Sequence, residues 1–320
     1  MNILFTTRIP KEGLTALSMH TLVMPTDSMF TTAELMERLP ACDILVPTYD
    51  RKITAAMLMA APRLRLIANF GVGFNNIDIE AARQRGIMVT NTVQPVIEPT
   101  AEQTFTLMLA VAHRTAELDR KMRQTNDIKI GVMNNLGVSI YGKTLGIIGM
   151  GRIGQAVARR AAACGMHVIY HNRHRLDYAR EHTCSATYYA DKEALLAMAD
   201  FVIPMVPYTP ETHHLIDSAA FDLMKPGAIL VNTSRGAVID EAALIRALQA
   251  GKLWGAGLDV YEFEPKISPE LLQMDNVVMS PHIGTGTIDG RIAMCRRVAE
   301  NIIHIFEGNP DVDWVVKKSM

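Results

Sequence analysis

The 320-residue sequence predicts an α/β protein in which parallel sheets are covered by helices on both faces. Two observations carry that prediction. Short apolar runs alternate with helix-forming stretches from the first residues onward, the rhythm of βαβ units. One run, Leu145-Gly146-Ile147-Ile148-Gly149-Met150-Gly151-Arg152-Ile153-Gly154, ends in three spaced glycines and leads straight into the helix formers Gln155 to Cys164. Gly149 suits the tight turn, Gly151 lets the backbone approach a pyrophosphate, and Gly154 lets the helix pack on the strand. A second strand, His167 to Tyr170, follows at the distance a dinucleotide site requires.

In chain order, strands are expected at 3–5, 21–24, 44–46, 66–68 and 87–89, with helices at 32–39, 55–61 and 79–85 between them. Sheets of this kind hold ligands at the carboxyl ends of their strands. The segment after Ala68 is therefore informative: Gly71 and Gly73 can free backbone N–H groups for an anion, or can simply make a strand-to-helix turn. The pattern changes near Glu98-Pro99, where Thr100 and Gln103 form a capping-box signature for a helix running to about Arg123. Its first half, Phe105 to Val111, is apolar on more than one face, as expected between layers or at a subunit interface. Asp127 to Gly142 reads as a loop. Beyond the glycine motif come strands at 201–203 (shortened by Pro204), 228–232, 255–260 and 277–280. Helices are expected at 219–224, from an Asp240 N-cap to Ala250, and at 289–306, the last able to cross back onto the first sheet.

Lysine plus arginine (32) balance aspartate plus glutamate (33), so nothing in the charge suggests a nucleic-acid partner. Cys42, Cys164, Cys184 and Cys295 are scattered without a CxxC pair, which predicts reduced thiols, no metal site and a cytoplasmic location. The N-terminus has no signal core, and the apolar stretch from Phe105 to Ala112 is too short to span a bilayer, so no membrane role is expected.

Three polar residues follow consecutive strand ends: Arg235, Glu264 and His282. Each has an ordinary alternative as a surface cation, a solvated loop acid or a capping histidine. Together they match the needs of 2-oxo acid reduction. A guanidinium fork pairs the carboxylate and polarises the carbonyl. An imidazole delivers the proton, and a carboxylate beside it favours its charged form.

The chain resembles the D-isomer-specific 2-hydroxyacid dehydrogenases along nearly its whole length. The resemblance rests on GVGFNNID at 71–78, GMGRIG at 149–154, TPET at 209–212, NTSRGAVIDE at 232–241, GLDVYEFEP at 257–265 and SPHIGT at 280–285. It implies catalytic roles for Arg235, Glu264 and His282, and substrate-carboxylate binding by Val72 and Gly73 with Arg235 and His282. It implies cofactor contacts from Gly149, Gly151, Arg152, Ile153, Gly154, Val206, Pro207, Thr233, Asp259, His282 and Gly284. It also implies a Rossmann domain, residues 99–286, inserted in a smaller flavodoxin-like parallel-sheet domain of residues 1–98 plus 287–320, with catalysis in the cleft and a homodimeric assembly.

Two positions depart from the family pattern. Family members that use NAD usually carry an aspartate at the end of the second Rossmann strand; here Asn172 is followed by Arg173, His174 and Arg175. Without the carboxylate, and with guanidinium groups nearby, the pocket should accept a 2′-phosphate, so NADPH is expected over NADH, with NAD possible. Met205 stands where many relatives have histidine, which implies a changed cofactor-side contact. The expected substrate is glyoxylate or hydroxypyruvate, its side chain read by Thr48 to Arg51, Phe70 and Phe74. The alternatives are a longer sugar-derived 2-oxo acid or, in another class, a nicotinamide-sensing corepressor.

Overall fold

The computed structural model describes residues 1–125 and 129–317. It divides into two compact units, Met1–Val96 with Thr285–Met320, and Ile97–Gly284. The first unit opens with strands β1 (Asn2–Phe5), β2 (Thr21–Val23), β3 (Ile44–Val46), β4 (Leu66–Ala68) and β5 (Met88–Thr90). Helices α1 (Thr32–Arg38), α2 (Ala55–Met59) and α3 (Ile79–Gln84) lie between them. The second unit begins with α4 (Ile97–Ala112) and α5 (Thr115–Thr125). It continues through β6 (Thr144–Ile148), α6 (Arg152–Ala163), β7 (His167–His171), α7 (Tyr178–Cys184), β8 (Ala186–Tyr188) and α8 (Lys192–Met198). Then come β9 (Phe201–Pro204), α9 (Ser218–Leu223), β10 (Ala228–Asn232), α10 (Glu241–Gln249), β11 (Leu253–Leu258), α11 (Pro269–Leu272) and β12 (Val277–Met279). The chain returns to the first unit with α12 (Ile288–Glu307) and β13 (Trp314–Val316).

The second unit holds a seven-stranded sheet in the order β12-β11-β10-β9-β6-β7-β8, every pair parallel. The reversal between β6 and β9 puts a switch point at the carboxyl end of β6, where such sheets bind ligands. The first unit holds six strands in the order β13-β5-β4-β3-β1-β2. Alternation along each strand supplies two cores: Leu4, Leu45 and Ile67 face one layer, Ile3, Phe5, Ile44, Val46 and Leu66 the other. Helix α12 closes the second of these layers with Met294, Val298 and Ile302.

Several expectations are corrected. The helix before the glycine motif starts at Ile97, not at Thr100, and Pro99 sits in its first turn, where a missing N–H costs nothing. Thr100 is buried inside the helix, and Gln103 donates to the Ser280 hydroxyl at 3.0 Å, so no capping box forms. The helix also breaks at 113–114, where Arg114 takes φ 58°. Val138 donates to the Ala112 carbonyl at 2.7 Å, which ends the helix by taking one of its last acceptors. The loop expected from Asp127 has no regular element between 129 and 143, while Asp127 itself lies outside the described residues.

Pro204 belongs to β9 instead of ending it. Met205 donates to Ile148 on the β6 side, so alternation turns position 204 toward β10, whose pairing with β9 has already stopped at Val202. The first sheet is not wholly parallel, because β13 runs antiparallel to β5. No helix among the described residues is long and apolar enough to cross a membrane.

Asn301 of α12 fixes β13 against β5. It is 1% exposed, donates to the Asn91 carbonyl at 2.9 Å and accepts from the Asp313 N–H at 3.1 Å. Asn301→Leu leaves both partners unpaired, the Asn91 carbonyl in a buried setting, and should lower unfolding free energy by about 1–3 kcal/mol. Urea unfolding measures this, and an unchanged midpoint would contradict it.

Candidate active site

The second unit brings three of the expected residues together. Arg235 follows β10, Glu264 follows β11 and His282 follows β12, so neighbouring parallel strands deliver them to one sheet edge. His282 Nδ1 lies 3.0 Å from Glu264 Oε2. The other carboxylate oxygen, Oε1, accepts the Tyr261 N–H at 2.9 Å. Burial alone would raise the Glu264 pKa. The bond to His282 and its charge, the Tyr261 N–H and the Arg235 charge outweigh that and hold it below the ordinary carboxylate value. Burial lowers the Arg235 pKa, opposed by the charge of Glu264. Its Nη1 donates to the Ser234 carbonyl at 2.6 Å, which fixes the guanidinium beside its own loop.

Asp259 is 1% exposed and shapes the loop that carries His282. Its Oδ1 accepts the Ser280 hydroxyl (2.6 Å) and the Ile283 N–H (2.8 Å), and its Oδ2 accepts the Gly284 N–H (2.7 Å). The Asp259 carbonyl takes the His282 N–H at 2.8 Å. These bonds hold His282 at φ 54°, a left-handed conformation that a residue with a Cβ adopts only when its surroundings impose it. Burial raises the Asp259 pKa against these donors and the charge of His282. Thr233 is buried with its hydroxyl 2.6 Å from that of Thr104 on α4.

Other parts of this framework depend on partners that the sequence does not show. Gly236, next to Arg235, packs on the backbone of the Glu264 loop so closely that a Cβ there would lie 1.9 Å from the Tyr261 carbonyl. Glu262 and Glu241 exchange backbone-to-carboxylate bonds at 3.0 Å, and Glu262 Oε1 lies 2.6 Å from His214 Nε2. The 209–214, 235–241 and 261–264 loops are thereby tied together. Glu262 stands inside the GLDVYEFEP block, but its partner His214 sits 48 residues earlier and nothing in the sequence pairs them.

The glycine loop has the form that a nucleotide pyrophosphate requires. Gly149 takes φ 104°, and a Cβ there would lie 2.5 Å from the Met205 carbonyl. Gly151 is the N-cap of α6 with no side-chain cap, and a Cβ there would meet nothing within 4 Å, so the helix N-terminus faces open space. Gly154 is buried against the Gly149 carbonyl, Arg152 is exposed, and Ile153 is half-buried. After β9, Val206 is half-buried against Gly149 and Pro207 is exposed, with its carbonyl accepting from Thr212. Met205 is half-buried on the apolar core of this unit.

At the end of β7, Asn172 Oδ1 accepts the Met150 N–H at 2.7 Å and so helps to set the glycine loop. The two arginines beyond it differ. Arg175 forms a two-bonded fork with Glu181, both at 2.8 Å, and this fork and the Tyr170 hydroxyl lower the Glu181 pKa to about 2. Arg173 is exposed and makes no hydrogen bond or ion pair among the described residues. Its charge reaches Glu211, whose pKa is lowered chiefly by Thr209.

In the first unit, three side-chain bonds organise the turn after β4. Asn69 Nδ2 donates to the carbonyls of Gly71 (3.1 Å) and Gly73 (2.8 Å), and Asn91 Nδ2 donates to that of Val72 (2.8 Å). With these carbonyls tied, the N–H groups of Val72 and Gly73 make no hydrogen bond among the described residues. Adjacent unpaired N–H groups of this kind can accept an anion.

Comparison with known proteins places these features in context. The sequence pattern described as "D-isomer specific 2-hydroxyacid dehydrogenase, NAD binding domain" matches residues 105–284. A glyoxylate reductase of Thermococcus onnurineus is 41% identical over 96% of this chain and 93% of that protein. A crystal structure of a Thermus thermophilus protein superposes with a TM-score of 0.91 at 38% identity, covering 99% of this chain and 100% of that one. An NADPH-dependent glyoxylate/hydroxypyruvate reductase of Sinorhizobium meliloti, solved with NADP and malonate, gives 0.80 at 30% identity, covering 95% and 93%.

Gly149→Ala tests the glycine loop. Strain at φ 104° and the collision with Met205 should weaken binding of a reduced nicotinamide dinucleotide at least about tenfold, a loss of ~1.4 kcal/mol. Fluorescence titration reads this directly, and an unchanged affinity would mean that the loop does not carry the nucleotide.

Proposed function

Because the chain belongs to the D-isomer-specific 2-hydroxyacid dehydrogenase family and is an NAD(P)-dependent oxidoreductase of that kind, we propose that it reduces a short 2-oxo acid, glyoxylate or hydroxypyruvate, to the D-2-hydroxy acid with NADPH. The observation that carries this reading is the His282–Glu264 contact at 3.0 Å, with the Arg235 charge acting on the same carboxylate. Arg235 pairs the substrate carboxylate and polarises the carbonyl, and the N–H groups of Val72 and Gly73 are assigned to carboxylate binding. With Nδ1 turned to Glu264, proton delivery to the carbonyl oxygen falls to Nε2 of His282. The nicotinamide, when bound, supplies the hydride. Gly149, Gly151, Arg152, Ile153, Gly154, Val206, Pro207, Thr233, Asp259, His282 and Gly284 are the residues assigned to hold it.

The preference for NADPH rests on Asn172 in place of a carboxylate and on the exposed Arg173. Arg175 contributes less, since Glu181 already engages its fork. The NADPH-dependent relative from Sinorhizobium supports the same choice. The homodimer is supported by the 129–142 loop, which exposes Ile130, Val132, Met133, Leu136 and Tyr141. An apolar set of that size marks an interaction surface.

Steady-state assays with NADPH and NADH against glyoxylate, hydroxypyruvate and pyruvate test the reading. Turnover is expected, with kcat/KM at least tenfold higher for NADPH. A tenfold preference for NADH would overturn the cofactor assignment, and no turnover with any 2-oxo acid would overturn the function. The pH profile tests Glu264. Its lowered pKa keeps it charged at neutral pH, so the stabilisation it gives the imidazolium is present there and is lost only in acid. Glu264→Gln removes that charge at all pH values. The variant should therefore be slower than the wild type at neutral pH, and the difference should narrow in acid, where the wild-type carboxylate is itself protonated. A superimposable profile would contradict this role.

A further inference from the structure

The two N–H groups assigned to the substrate carboxylate owe their direction to side chains placed behind them. In a planar trans peptide the carbonyl and the following N–H point opposite ways, so a bond that holds one aims the other. Both peptides of the 71–73 turn are trans. The Gly71 carbonyl therefore sets the Val72 N–H, and the Val72 carbonyl sets the Gly73 N–H. The Gly71 carbonyl takes two donors, Asn69 Nδ2 and the Thr92 N–H, both at 3.1 Å. The Val72 carbonyl is held by Asn91 Nδ2 at 2.8 Å. That second peptide ends in a glycine, whose wide range of φ gives the plane little resistance to turning over. A bond to the carbonyl supplies the resistance.

Both backbone groups of Asn91 are held by the C-terminal part of the chain. Its N–H donates to the Asp313 carbonyl at 3.0 Å, and its carbonyl accepts Asn301 Nδ2 at 2.9 Å. The Asp313 N–H closes the ring on Asn301 Oδ1 at 3.1 Å. The Asp313 carboxylate accepts the Val93 N–H at 3.4 Å and Arg297 Nε at 2.8 Å, so it grips the chain just beyond Asn91 as well. The backbone of Asn91 thus does the work of joining β5 to β13. Its side chain, 8% exposed, gives its donor to the turn instead.

We propose that Asn91 is a positioning residue for substrate binding. By holding the Val72 carbonyl it keeps the Gly73 N–H turned to the carboxylate of the 2-oxo acid, and Asp313, the residue before β13, keeps Asn91 in place. The assignment rests on the reductase reading above and specifies what aims one of its carboxylate donors. The carboxylate is present in substrate and transition state alike, so loss of this aim should appear in KM and not in kcat.

Asn91→Leu keeps the size of the side chain and removes its donor. Steady-state kinetics with glyoxylate at saturating NADPH should show KM raised at least about tenfold, as expected for a lost hydrogen bond to a charged group, with kcat nearly unchanged. Fluorescence titration should give a wild-type affinity for NADPH. A KM within about threefold of the wild type would overturn the assignment. So would a joint loss of kcat and NADPH affinity, which marks general damage to the fold. Should the leucine variant not fold, Asn91→Ser, polar but too short to reach the Val72 carbonyl, is judged by the same readouts. A wild-type protein that turns over no 2-oxo acid removes the reductase reading and the assignment with it. An active wild type with an unmoved KM in the variant strikes the assignment alone.

Discussion

The site depends on a buried carboxylate that touches no other acid or base directly. Asp259 accepts three donors from residues 280, 283 and 284 and, through its carbonyl, a fourth from the backbone of His282. That set of bonds forces a left-handed turn at a residue with an imidazole, and the turn points the ring at Glu264. Burying an ionised carboxylate is unfavourable unless its lone pairs are occupied, and here they are. The donors that compensate the burial are the backbone groups whose positions set the site.

This support extends into α4. Gln103 donates to the Ser280 hydroxyl, which donates to Asp259, and the next residue of the helix, Thr104, meets Thr233. The helix expected between layers or at a subunit interface therefore also braces both the histidine loop and the Thr233 loop. On the other side of the triad, Gly236 allows the Arg235 loop to lie directly against the backbone at Tyr261, and the Glu241–Glu262–His214 bonds keep it there. Preorganisation of this kind keeps the reactive groups in place without rearrangement during the reaction.

Much of this was legible in the sequence. The glycine loop, the parallel strands and the positions of Arg235, Glu264 and His282 follow from local patterns, since strand, turn and helix residues are short-range signals. The legible part of the turn after β4 was Gly71 and Gly73; the amide groups of Asn69 and Asn91 that tie its carbonyls were not, because one of them lies 19 residues away. The same limit explains the misread start of α4. Thr100 and Gln103 have the right spacing for a cap, but their side chains are claimed by burial and by Ser280, 177 residues away. Arg175 illustrates the converse: its type fits a phosphate, yet Glu181, six residues along, holds it. Tertiary partners decide what a polar side chain does, and sequence spacing reports only what it could do.

The central claim is that Glu264 acts through His282. A double-mutant cycle on kcat/KM measures that coupling most directly. The account predicts that Glu264→Gln costs at least about tenfold at neutral pH when His282 is present and no more than about twofold in a His282→Ala background, where no imidazolium remains to be stabilised. Equal factors in the two backgrounds would contradict it, and Glu264 would then act on the substrate or on Arg235 independently of the histidine.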